Sequence, residues 1–145
     1  MTVSDGQTAT LRAFLEGNRP RYNELLAQLD RRADSLGYSA LVTSAFFEAV
    51  DRRFSKQSTR SDVVGYVADV RSRSDNAADA VDPRVAERLI REVLGEGTTD
   101  DIDGRTSSTT KLFLLAALTA DADLSRGALD EFITKVRKMA EHLAR

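Results

Sequence analysis

Side chains that carry catalysis are scarce in this chain. It contains no cysteine, which excludes disulfides, thiol nucleophiles and thiolate metal sites. Its single histidine, His142, lies near the C-terminus, and the spacing of the sequence gives it no catalytic partner. Neither GxGxxG nor GxxxxGK[ST] occurs, so no phosphate-binding loop is indicated. We therefore predict no catalytic residue and no cofactor, and favour a non-enzymatic protein, although a mechanism using carboxylates alone stays open.

Two acidic loops could attract a cation. Within residues 95–105, the Asp-x-Asp-Gly segment matches the middle of an EF-hand loop, but threonines occupy the first and twelfth positions. The segment Asp121-x-Asp123-x-Ser125 resembles a degenerate EF-hand loop over some twelve residues. An arginine replaces its turn glycine, and a phenylalanine replaces its bidentate glutamate. We therefore predict no metal site; Asp121 and Asp123 are the candidates if a metal-responsive helical domain is the correct alternative.

Three arginines could form a nucleic-acid-binding face. Arg84, Arg88 and Arg91 follow at i, i+4 and i+7, which places them on one side of a predicted helix. Glu87 and Glu92 interrupt this helix, and the net charge of the chain is -2. A solvated face with intrahelical ion pairs explains the same pattern. Nucleic acid is therefore an unexpected partner, and a regulator that binds it through this face is our alternative hypothesis.

The last predicted helix carries a long apolar stripe that could contact a protein partner or a second copy. Its residues step by three, four, three and four: Leu129, Phe132, Val136, Met139 and Leu143. Such a stripe fits the interface of a homodimer. Packing inside the chain is the favoured explanation, because any core-facing helix shows the same spacing.

The segment Ser39–Phe54 is the most apolar helix of the sequence, and we expect it to be the core of the fold. Capping residues, glycines and apolar periodicity predict further helices around it. The predicted helices cover residues 10–16, 20–36, 39–54, 60–73, 83–94, 111–120 and 126–144. Residues 74–81 are expected to be a linker, Gly37 to end the second helix, and Ser107 or Ser108 to cap the sixth. We expect Thr59 and Asp62 to form a capping box for the fourth helix, and Asp82 and Ser125 to cap the fifth and the last. Leu36 and Phe47 are expected to face inward, and the sixth helix to be buried nearly all round.

These elements predict an all-α fold, a single compact domain built as a bundle of six to seven helices. Residues 1–8 are expected to be a flexible N-terminal segment, and residues 9–145 the helical domain. We find neither a signal peptide nor an apolar run of the roughly 20 residues a membrane helix needs. The expected protein is cytoplasmic, makes no membrane contact, and acts as an interaction module on a protein partner or on itself.

Overall fold

The protein is all-helical. A computed structural model describes residues 3–143, and within that range it contains eight helices and no strand. This confirms the predicted fold class, with more helices than the six or seven expected. The helices are α1 (Asp5–Leu15), α2 (Arg19–Gln28), α3 (Ser35–Arg53), α4 (Arg60–Ser72), α5 (Asp75–Ala80), α6 (Pro83–Val93), α7 (Gly104–Ala122) and α8 (Arg126–Leu143). None of these described helices combines the length and hydropathy required to cross a bilayer.

The chain divides into two compact units. The first comprises residues 1–45 and 119–145, and the second comprises residues 46–118. The first unit therefore holds α1, α2, α8, the start of α3 and the end of α7. The second holds α4, α5, α6 and the remaining parts of α3 and α7. A single domain over residues 9–145 stays a prediction.

In the first unit, the N-terminal segment is built into the fold. α1 begins at Asp5 rather than at residue 10, so residues 5–8 of the segment predicted to be flexible are helix, and residues 1–2 of it lie outside the described range. The reason is a capping box: Ser4 and Gln7 exchange side-chain and backbone hydrogen bonds of 3.1 Å. Arg137 of α8 adds hydrogen bonds to Asp5 Oδ1 at 2.7 Å and to the carbonyl of Val3 at 2.8 Å.

The boundary between α2 and α3 differs from the prediction. α2 ends at Gln28, eight residues early relative to residue 36, because Asp30 accepts hydrogen bonds from the backbone of the turn that follows. α3 begins at Ser35, so Gly37 lies inside a helix rather than after one, and Ser39 is not a cap. Leu36, predicted to point inward, is 67% exposed.

The second unit packs α4 against α5 and α6. Its most deeply buried side chains are aliphatic and aromatic: Phe46, Val50, Val63, Val67, Leu89, Ile90, Leu114 and Leu115. α5 occupies the segment predicted to be a linker. Ser74 caps it, and Arg71 of α4 donates hydrogen bonds to the carbonyls of Ala78 and Val81. These contacts from outside the segment stabilise a helix too short to form alone.

Several predicted helix ends are confirmed. Thr59 and Asp62 form the expected capping box of α4, and Asp82 caps α6 ahead of a proline. Ser125 accepts a hydrogen bond from the backbone of Ala128 at the start of α8. The predicted start of α7 is wrong, because Asp103 caps it and the helix begins at Gly104.

The predicted burial of α3 and α7 needs two corrections. In α3 the buried residues fall in three adjacent columns at four-residue intervals: Gly37, Leu41, Ala45 and Ala49; Val42, Phe46 and Val50; and Ala40, Ser44 and Glu48. Phe47 falls outside these columns and is 43% exposed, so it does not belong to the predicted buried stripe. α7 is not buried on all sides, because Ala116 and Ala120 are exposed.

Candidate functional site

The turn between α2 and α3 is fixed by two aspartates. Asp30 Oδ1 accepts hydrogen bonds from the backbone N–H groups of Arg32 at 2.8 Å and Ala33 at 2.9 Å. Asp34 Oδ2 accepts one from the backbone N–H of Asp30 at 2.7 Å. Each aspartate thus satisfies backbone donors that no helix satisfies, a common use of aspartate in turns. The turn is therefore held in one conformation by its own side chains.

An open groove of about 690 Å³ lies beside this turn, within the first unit. Its volume falls in the range of roughly 300–1,000 Å³ that binding pockets occupy. α2 and its C-terminal end supply Asn23, Leu26, Ala27 and Leu29, the turn supplies Asp30, Arg31 and Asp34, and α3 supplies Ser35 and Tyr38. The groove combines an apolar wall with charged and hydrogen-bonding groups, as binding sites usually do.

The apolar wall is incompletely covered. α2 contains no buried residue, although Leu25 and Leu26 lie in its sequence, and Leu26 is 40% exposed. When a ligand buries exposed apolar surface, the favourable free energy is roughly 25 cal/mol per Å². The entropic and desolvation costs of binding are subtracted from this value. α2 therefore leaves apolar surface exposed at the groove.

Tyr38, which lines the groove, is hydrogen-bonded to a second tyrosine. Tyr38 donates a hydrogen bond to the hydroxyl of Tyr22 over 3.3 Å, and Tyr22 in turn packs against Phe14 with ring centroids 5.2 Å apart. Burial, followed by the hydrogen bond to Tyr22, raises the pKa of the Tyr38 phenol above its ordinary value of 10.0. Tyr38 is therefore neutral at physiological pH and acts through packing and hydrogen bonding.

The Asp30 carboxylate of the groove is held in its charged form. The backbone N–H groups of Ala33 and Arg32 hold the pKa of Asp30 below its ordinary value of 3.8. Asp34 accepts a second hydrogen bond, from Gln7 Nε2 at 2.8 Å, which links the turn to α1. Arg31 places a positive charge beside these two negative charges on the rim. The groove is thus amphipathic and nearly balanced in charge.

Asp121 and Asp123, the candidate metal ligands of the sequence analysis, lie at the C-terminal end of α7. Asp121 lies in the last turn of α7, and Asp123 follows the helix in a left-handed conformation with φ of 48°. Over residues 3–143, no group of three or more histidine, aspartate or glutamate side chains is arranged to hold a metal ion. Asp101 and Asp103, in the other acidic loop, bind Arg88 and cap α7 respectively.

The predicted arginine face is not a set of three equivalent cations. Arg88 donates to both carboxylate oxygens of Asp101, at 2.9 and 2.5 Å, and to the carbonyl of Thr98 at 2.9 Å. Arg91 is half-buried, and its Nε is buried without a hydrogen-bond partner among the described residues. Arg84 is exposed. Because Arg88 holds the loop that follows α6, the structure gives this face a role within the fold.

The predicted interface stripe of α8 is largely internal. Leu129, Phe132 and Val136 are at most 8% exposed, so packing within the chain accounts for them. Met139 is half-buried, and Leu143 is 59% exposed at the C-terminal end of the helix. His142 is exposed on the last turn of α8. An interface formed by the whole stripe would require the buried side chains of Leu129, Phe132 and Val136 to leave the interior.

Sequence reasoning missed the groove and the contacts that shape it. The sequence analysis assigned Asp30 and Asp34 to a continuous helix over residues 20–36. Aspartate side chains commonly stabilise turns, so two aspartates four residues apart could have predicted a turn here. The sequence analysis also missed a buried carboxylate in the second unit. Glu48, 3% exposed, accepts a hydrogen bond from Arg52 Nε at 2.6 Å.

Comparisons of the chain with protein-family models, curated proteins and solved structures find no match.

Proposed function

We propose that the protein is a non-enzymatic interaction module that binds a protein partner through the groove beside α2. The observation that supports this proposal is the incomplete cover of α2, a helix without a buried residue whose Leu26 faces an open groove. Exposed apolar surface rimmed by polar groups is typical of protein-binding sites. The ordered turn at Asp30 and Asp34 lowers the entropy that such binding would cost, because the rim is already fixed.

Site-specific photocrosslinking in the producing cells tests this function. A photoreactive phenylalanine analogue at Ala27, an exposed residue that lines the groove, is expected to yield discrete protein adducts. The same analogue at Ala68, an exposed residue of α4, is the matched control and is expected to yield fewer. Adding Leu26→Asp to the Ala27 probe is expected to suppress its adducts, because a charge would enter the apolar wall.

Circular dichroism of each variant checks that the fold is retained, which we expect because both probe positions are exposed. Equal labelling from the two positions, or adducts at Ala27 that persist with Leu26→Asp, contradicts the groove as a binding surface.

A further inference from the structure

We propose that residues 52–60 bind the phosphate backbone of duplex DNA. This segment runs from the last turn of α3 to the first residue of α4, within the second unit. It shares no residue with the groove beside α2 or with the predicted arginine face of α6, so the inference stands apart from the proposed function. The segment contains four cations and no acidic residue: Arg52, Arg53, Lys56 and Arg60.

Most of this positive charge is not neutralised within the fold. Arg52 forms an ion pair with Glu48 at 2.6 Å. Arg53, Lys56 and Arg60 are exposed, and none of them forms an ion pair with another residue in the range 3–143. These three side chains, which we call the basic patch, stand out on a chain whose net charge is -2.

The uncharged side chains between these cations are hydrogen-bond donors held in place by a turn. Ser58 Oγ accepts a hydrogen bond from the backbone N–H of Ser55 at 2.9 Å, and Ser55 Oγ accepts one from the backbone N–H of Gln57 at 3.2 Å. The backbone N–H of Ser58 closes the turn on the carbonyl of Ser55 at 3.0 Å. Because a hydroxyl that accepts a hydrogen bond can still donate one, each serine keeps its O–H proton for a phosphate oxygen.

Arg53 is ordered by two aromatic rings. Its guanidinium carbon lies 5.0 Å from the ring centroid of Phe54 and 5.1 Å from that of Tyr66. Stacking on ring faces leaves the N–H groups at the edge of the guanidinium plane to donate, and this planar fork matches the oxygens of a phosphate. Holding the side chain before binding lowers the entropy that its immobilisation would cost.

The composition of the exposed surface favours phosphate over a protein partner. Arginine, lysine, serine, threonine and glutamine supply many of the phosphate contacts in protein–DNA complexes, and they make up this segment apart from Phe54. Phe54 is 5% exposed, so the segment lacks the apolar centre that a protein interface normally has.

The same aromatic residues favour a duplex over a single strand. Phe54 and Tyr66 pack edge to face with ring centroids 5.7 Å apart, and both rings are buried. Neither ring can stack on an unpaired base, which is the usual contact of proteins that bind single-stranded nucleic acid. Contacts restricted to the backbone carry no base readout, so we expect binding without sequence preference.

The expected affinity is modest. The Cα atoms of Arg53 and Arg60 are at most about 25 Å apart, a span that covers several phosphates of a duplex. Asp51 and Asp62 border the segment with opposing charge. Three phosphate contacts at roughly 0.9 each predict a slope of about -2.7 for the logarithm of the binding constant against the logarithm of salt concentration. We expect a dissociation constant of about 10–100 µM at low salt.

Fluorescence anisotropy with a labelled DNA duplex of about 20 base pairs tests this inference in a salt series starting at about 25 mM. Lys56→Gln combined with Arg60→Gln is expected to weaken binding about tenfold and to reduce the salt slope by about two. Arg19→Gln combined with Arg126→Gln is the matched control, because both residues are exposed and lie in the first unit. It removes the same charge and should change the affinity by less than about twofold, since distant exposed charges are screened.

Circular dichroism of both double variants checks the fold, which we expect to be retained because all four positions are exposed. Absence of binding at about 25 mM salt overturns the inference, because backbone binding is strongest at low salt. An equal loss of affinity in the two double variants also overturns it, since net charge alone would then explain the binding. Displacement of the duplex by polyglutamate at equal concentration of charge would assign the basic patch to an acidic protein. Neither double variant changes a residue that lines the groove, so crosslinking from Ala27 tests the proposed function separately.

Discussion

Gln7 donates a hydrogen bond from its side-chain amide to Oδ1 of Asp34 over 2.8 Å, across 27 residues of sequence. The Gln7 side chain is 2% exposed and also completes the capping box of α1. Asp34 lines the groove and precedes α3. One buried amide thus ties the start of α1 to the rim of the candidate site, and it does so in space that Gly37 leaves free.

The first prediction concerns Gly37. A Cβ at this position would overlap the Gln7 amide, lying 2.7 Å from Nε2 and 2.8 Å from Cδ. Gly37→Ala gains about 1 kcal/mol of helix propensity, but overpacking costs about 1–3 kcal/mol and the hydrogen bond to Asp34 is strained or lost. We expect a net destabilisation of about 1 kcal/mol in chemical denaturation.

Gly65→Ala is the matched control. Gly65 lies within α4, is exposed, and leaves open space around a Cβ. This change is expected to stabilise the protein by about 0.5–1 kcal/mol through helix propensity alone. If both substitutions stabilise, the Gln7 side chain moves aside freely and does not fix the turn.

The local ends of the helices could be predicted from the sequence, because they depend on contacts within a few residues. Thr59 and Asp62 lie three residues apart, and Asp82 and Ser125 contact backbone within three residues of themselves. In each case the signal in the sequence is a side chain that can accept a hydrogen bond from one of the first backbone N–H groups of the helix, which have no partner within the helix.

The remaining features depend on contacts between distant residues. α5 is stabilised by Arg71, which lies outside its segment, and the early start of α1 is reinforced by Arg137. The groove depends on Gln7, which reaches Asp34 from another helix. Periodicity assigns an apolar residue to a face without showing whether a neighbour covers it, so the exposure of Leu26 and Leu36 could not be predicted.

The second prediction concerns the loop after α6. Arg88 binds Asp101 and the carbonyl of Thr98, while Glu92 accepts two hydrogen bonds from Thr99. Arg88→Met removes the hydrogen bonds that Arg88 donates to Asp101 and to the carbonyl of Thr98. We therefore expect faster amide hydrogen exchange over residues 97–102, measured by mass spectrometry. The melting temperature should change little, because the Arg88–Asp101 pair is solvent-accessible.

Arg21→Met is the control for this experiment. It removes an exposed ion pair with Glu24 on α2 and should leave exchange in the loop as in the parent protein. Unchanged exchange over residues 97–102 in Arg88→Met would show that Glu92 alone orders the loop, and would make Arg88 available for other partners.

The third prediction concerns Arg91. Its Nε is buried without a hydrogen-bond partner among residues 3–143, and such a group costs free energy in the folded state. Arg91→Met keeps an unbranched side chain and removes the polar atom, so we expect stabilisation by about 1 kcal/mol in urea denaturation. Arg84→Met, at an exposed position of the same helix, should change the free energy of unfolding by less than about 0.5 kcal/mol. Destabilisation by Arg91→Met would show that this guanidinium is satisfied in solution.

The fourth prediction concerns acid sensitivity and Asp103. Its carboxylate accepts hydrogen bonds from Thr106 Oγ1 at 2.6 Å and from the backbone N–H of Thr106 at 2.9 Å, and these hold its pKa below the ordinary 3.8. A lowered carboxyl pKa stabilises the fold fully above the unfolded-state value and loses that effect as the pH falls through the folded-state value. Stability should therefore drop on acidification below about pH 4.

Asp103→Asn isolates this effect, because asparagine caps a helix but does not titrate in this range. Calorimetry from neutral pH to about pH 3 should show a smaller fall in melting temperature for Asp103→Asn than for the parent protein. The remaining fall is expected from Asp30 and Asp101, whose pKa values are also lowered by hydrogen bonds. Asp103→Ala removes both the cap and the titration, so it should melt lower than Asp103→Asn already at neutral pH. An acid-induced fall as steep in Asp103→Asn as in the parent would assign the pH dependence to other carboxylates.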